Sequence, residues 1–126
     1  MKHLFTFLLV AISATSFAQG NLQFNQVLNF DYVLLSNGGT NGQLAGTLSV
    51  PTNKVWKITS ASAADDDLND GQRFIRVNNH VLYERRVNGH LSMNTPYWLS
   101  TGNHTVEIFG TAKIGSLSII EFNVIP

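Results

Sequence analysis

The chain has 126 residues, equal numbers of basic and acidic side chains, 13% charged residues and no cysteine. A nucleic-acid binder would carry a basic excess, and a disordered chain would fall well short of this one's 44% hydrophobic content. Without cysteine there is no disulfide framework, no thiolate nucleophile and no zinc ribbon, and the length fits one domain.

Residues 1–18 read as an export signal rather than as part of the fold. Lys2 and His3 give a positive start, Leu4 to Ile12 is an apolar run broken only by Thr6, and Ser16-Phe17-Ala18 places small residues where signal peptidase requires them. Cleavage is expected between Ala18 and Gln19. The apolar run is shorter than the ~20 residues that span a bilayer, so no transmembrane segment is expected after cleavage, and the expected location is periplasmic or extracellular. Residues 19–126 are expected to form the single domain.

From residue 22 the chain alternates with period two. Leu22, Phe24, Leu28, Phe30, Tyr32 and Leu34 share one parity with Gln26, and Gln23, Asn25, Asn29 and Asp31 share the other. One buried and one wet face follows, with a bend or bulge near Gln26 because the segment is long for one strand. Residues 36–42 are a loop by composition. Strands are then expected over 44–50, 54–62, 72–77, 81–87, 96–100, 104–109 and 116–125, separated by Pro51-Thr52-Asn53, an acidic loop, Asn78-Asn79-His80, Asn88-Gly89 and Thr101-Gly102-Asn103. Asn adopts the left-handed conformation that tight hairpins need, so 72–77 and 81–87 are expected to pair directly. About eight strands without a helical window predict an all-β antiparallel sandwich of jelly-roll type.

Three segments carry a family resemblance. They are Val50-Pro51-Thr52-Asn53-Lys54-Val55-Trp56-Lys57-Ile58, then Thr95-Pro96-Tyr97-Trp98-Leu99-Ser100-Thr101-Gly102, then residues 115–125, Gly115-Ser116-Leu117 through Val124-Ile125. Together they resemble short exported bacterial β-sandwich proteins of unknown function. The resemblance implies fold and export and carries over no site residue.

The acidic loop offers clustered oxygen ligands. Asp65, Asp67, Asn69 and Asp70 are the candidate calcium ligands, although the spacing departs from the EF-hand pattern: Gly71 falls one place late and Arg76 stands where a Glu is required. The preferred reading is a solvated connection whose acids keep a sheet end soluble. No cofactor is expected, calcium at this loop being the one candidate. His80, His90 and His104 lack the paired spacing of a metal site. No G-x-S-x-G is present, and Glu84, Glu107 and Glu121 read as outward strand residues paired to Arg or Lys. The sequence therefore has no catalytic motif.

Aromatic side chains supply a binding reading instead. Trp56 shares parity with Ile58 and is expected in the core. Tyr97 and Trp98 are neighbours on a strand, so one must face outward, and Tyr83 with Arg85 and Arg86 would make a small basic and aromatic patch. These five are the candidate ligand-binding residues. The final strand is apolar on both parities, Leu117, Ile119 and Ile125 against Ile120, Phe122 and Val124, which calls for a central position or for cover by another subunit. The expected function is a small exported binding or interaction module for a glycan or a cell-surface protein. The alternatives are a secreted hydrolase acting on polysaccharide and a homo-oligomeric structural or adhesive surface subunit.

Overall fold

The structure is a computed structural model and describes residues 22–65 and 71–125. The proposed export signal and the candidate ligands Asp67, Asn69 and Asp70 lie outside the described residues.

The described residues form nine strands: β1 (Leu22–Val33), β2 (Gly39–Val50), β3 (Lys54–Ala64), β4 (Arg73–Val77), β5 (His80–Arg85), β6 (Leu91–Met93), β7 (Tyr97–Leu99), β8 (Gly102–Gly110) and β9 (Ile114–Val124). They form a four-stranded sheet in the order β1-β9-β3-β7 and a five-stranded sheet in the order β2-β8-β4-β5-β6. All recorded pairings are antiparallel. Successive strands β1 to β4 alternate between the sheets, with β9 inserted between β1 and β3 and β8 between β2 and β4. This is the jelly-roll connectivity expected from the sequence, with β6 as an added edge strand.

Inward residues of both sheets make one core. Leu48, Ile58, Ile75, Val77, Leu82, Val106, Ile108 and Ile119 are completely buried, and Trp56, Leu99 and Leu117 nearly so. Their spacing by two along each strand is what the pleat requires. The β4–β5 hairpin turns on Asn78 and Asn79, at φ +49° and +66° between the paired residues Val77 and His80. Both central residues being left-handed matches the right-handed twist of the two strands.

Two bulges reassign faces. In β3, Trp56 and Ile58 point inward, an extra residue enters between Ile58 and Ser60, and Ala61 and Ala63 then take the inward positions. In β1 the register with β9 shifts between Phe24 and Gln26. Gln26 therefore lies opposite buried Glu121, whereas Phe24 lies opposite Phe122 on the outer face. The expected bulge is present, but its consequence corrects the sequence reading: Leu22 and Phe24 are exposed rather than buried with Leu28, Phe30 and Tyr32. One inserted residue inverts the face of everything before it.

Candidate functional site

The outer face of the four-stranded sheet is divided in two along its strands. At one end, β9 contributes Ile120, Phe122 and Val124. In register beside them lie Val27, Phe24 and Leu22 of β1, Lys57 and Val55 of β3, and Trp98 of β7 opposite Lys57. At the other end the same strands present Ser116 and Ser118, Asn29 and Asp31, and Ser60 and Ser62. There the Ser116 hydroxyl donates to Asp31 Oδ1 at 2.7 Å and the Ser118 hydroxyl to Asn29 Oδ1 at 2.9 Å.

The apolar end is open. Phe24 is 59% exposed, Val27 57% and Trp98 47%. Trp98 tilts against Phe122, with centroids 5.7 Å apart, and the Lys57 ammonium lies 5.3 Å from its ring centroid. A cation over an indole face is attracted to the ring quadrupole. Lys57 makes no ion pair among the described residues, so the patch is apolar and aromatic with one positive charge inside it.

Beneath this end lies a buried carboxylate. Glu121 is 4% exposed. Its Oε2 accepts from Trp56 Nε1 at 2.7 Å, and its Oε1 accepts from Gln26 Nε2 at 3.0 Å and from the Asn25 carboxamide. Lys54 Nζ stands 3.7 Å from Oε1 and also donates to Asn123 Oδ1. Burial by itself pushes the Glu121 carboxyl up, but the three donors and the Lys54 charge outweigh it and hold the carboxyl below its ordinary range. Asn25 and Gln26 are the bulge residues, so this carboxylate ties down the irregularity that turns Phe24 outward.

Reading Glu121 as an outward strand residue was wrong, because an interior carboxylate with this many donors is satisfied without solvent. The other two glutamates are paired. Glu107 Oε2 accepts from Arg76 Nε across the strands at 2.8 Å, and Glu84 Oε1 accepts from Arg86 Nε and Gln72 Nε2, both at 2.9 Å.

The five candidate ligand-binding residues fall in different places. Trp98 lies on the outer apolar face. Tyr97, next to it, points inward, packs against the core and stacks on His80 with centroids 4.5 Å apart, closing one edge of the sandwich. Tyr83 packs against the core from the other sheet. Arg86 is engaged with Glu84 and Arg85 is also engaged, both near the end of β5. No single surface gathers them. Asp65 is half-buried at the end of β3 and makes an interaction of its own. Among the described residues no three His, Asp or Glu side chains come together as metal ligands.

Sequence reasoning missed Leu22, Phe24 and Val27 as members of this face and Glu121 as its anchor. The outward parity of Ile120, Phe122 and Val124 was the available signal. No family model, curated protein or solved structure matches the chain.

Proposed function

We propose that the chain is a small exported interaction module that docks a protein partner on the outer apolar face of its four-stranded sheet. The observation carrying this reading is the contiguous exposed patch of Leu22, Phe24, Val27, Trp98 and Val124 around half-buried Phe122. Exposed apolar surface of this kind, edged by the polar Ser and Asn rows, is typical of an interaction site. Lys57, over the Trp98 ring and without an ion pair among the described residues, favours a partner that brings a carboxylate to it. Aromatic residues concentrate binding energy at the centre of such contacts, which gives Trp98 and Phe122 the leading role.

Export rests on the order of features in residues 2–18 and is checked by intact mass, with a chain starting at Gln19 expected. The hydrolase alternative needs two carboxylates facing across a groove, and Glu84, Glu107 and Glu121 are each committed to partners. The structural-subunit alternative uses the same face with a second copy as partner. Size-exclusion chromatography of the cell-envelope and medium fractions tests the reading. The native chain is expected in a complex and the double variant Phe24→Ser, Val27→Thr as a free monomer. A complex of unchanged size in the variant contradicts it, and a complex of twice the chain's mass identifies the partner as a second copy.

A further inference from the structure

The second feature lies in the other sheet and does not depend on the apolar face. β2 and β8 pair at Gly39 and Gly110, then not again until Gln43 and Ile108. Three residues of β2 therefore span the distance covered by one residue of β8. The ladder opens, and the Phe109 ring fills the space under Gly42, where an added Cβ would lie 2.2 Å from it. Phe74 stacks on Phe109 with centroids 4.4 Å apart and planes within 9°, and the Arg76 guanidinium lies 4.1 Å from the Phe109 centroid.

This opening is an open cleft of about 320 Å³ lined by Gly39, Thr40, Gln72, Phe74, Gly110 and Thr111. The volume is at the small end of the ~300–1,000 Å³ usual for small-molecule sites. The lining combines one aromatic ring, held in place by its stack, with two threonines, a carboxamide and bare backbone. Among the described residues it contains no charged side chain. Gln72 is fixed by its bond to Glu84. The Thr111 hydroxyl is buried without a hydrogen-bond partner among the described residues, so it is closed off from the cleft and Thr111 contributes only its accessible atoms to the wall. Gly39 faces open space, where a Cβ would meet nothing within 4 Å.

We infer that this cleft is a binding site for a single neutral pyranose ring, the free sugar or the terminal unit of a glycan. The C–H face of a pyranose carries partial positive charge and suits the negative face of an aromatic ring. Its hydroxyls donate and accept at once, as the exposed Thr40 and Gln72 side chains require. A uronic acid or a phosphorylated sugar would bring a negative charge for which the described lining has no cationic counterpart.

Amide NMR on the isotope-labelled chain, titrated separately with glucose, galactose, mannose and N-acetylglucosamine, tests this. At least one sugar is expected to shift the amides of Thr40, Gln72, Phe74 and Thr111, with a dissociation constant in the millimolar range, and glucuronate is expected to bind more weakly than glucose. Thr40→Ala, at an exposed position that leaves the fold intact, should weaken the best sugar about threefold. Phe74→Leu should weaken it about tenfold. No shift with any of the four sugars, shifts centred on Trp98 instead, or tighter binding of glucuronate would overturn the assignment.

Discussion

Trp56 and Glu121, 65 residues apart in sequence, meet at 2.7 Å with the indole N–H donating to carboxylate Oε2. The contact joins β3 to β9 inside the sandwich. On the same carboxylate, Oε1 takes Asn25 and Gln26 from the β1 bulge. One interior side chain thus fixes three strands and the direction in which Phe24 points.

Removing that carboxylate should be costly. Glu121→Ala leaves an indole N–H and two carboxamides without their acceptor and removes the charge facing the Lys54 ammonium, at an expected loss of about 3 kcal/mol in urea unfolding. Phe24 should also lose its fixed position, visible as broadened β1 amide signals. A loss under about 0.5 kcal/mol would show that the cluster does not anchor the bulge.

The pH dependence has a defined sign. Glu121 is held below its ordinary value of 4.5 in the folded chain. Such a group stabilises the fold at pH above the unfolded value, and the contribution is lost as pH falls through the folded value. Glu84 acts in the same direction, lowered first by its bond to Arg86 and further by Gln72. Unfolding free energy is therefore expected to fall as pH drops below about 4.5, with a shallower fall in Glu121→Gln. Identical acid limbs in both proteins would remove Glu121 from the account.

The apolar face should be dispensable for folding. Phe24→Ser and Val27→Thr alter side chains that are more than half exposed, so each is expected to change stability by no more than about 0.5 kcal/mol. Chemical unfolding midpoints check this. A large loss would mean that these residues serve the core rather than a partner.

Gly110 has no room for a side chain. Its φ is +74°, and an added Cβ would lie 1.7 Å from the Gln72 carbonyl oxygen, which belongs to backbone and cannot step aside. Gly110→Ala should cost about 2 kcal/mol or more, read as a fall in thermal midpoint. A midpoint equal to that of the native chain would contradict the described close approach of β8 to the start of β4.

The strands are legible in the sequence because Leu48 with Val50, Trp56 with Ile58 and Val106 with Ile108 alternate without interruption. That alternation and the Asn78-Asn79 turn are local signals. The face of Leu22 and Phe24 is not local: it depends on one inserted residue whose side chain is held by a carboxylate 96 positions away. Glu121 was misread for the same reason, since its burial is set by donors from β1 and β3. β6 has three residues, too few to show a period. Of the candidate binding residues, the Tyr97-Trp98 pair was legible as one ring in and one ring out. Tyr83 could not be placed from its neighbours, because the register with β4 shifts between Ile75 and Arg76 and brings Tyr83 opposite buried Ile75.

The docking face is tested most directly by site-specific photocrosslinking in living cells. A benzophenone side chain is placed at Val124, an exposed residue at the edge of the apolar face, and, in a separate protein, at Thr105, an exposed residue of β8 in the other sheet. Irradiation is expected to give a discrete higher-mass product from position 124 and none from position 105, and the product should disappear when Phe24→Ser and Val27→Thr are added. Crosslinking at 105 but not at 124, or no product from either position, would contradict the assignment of this face as the contact surface.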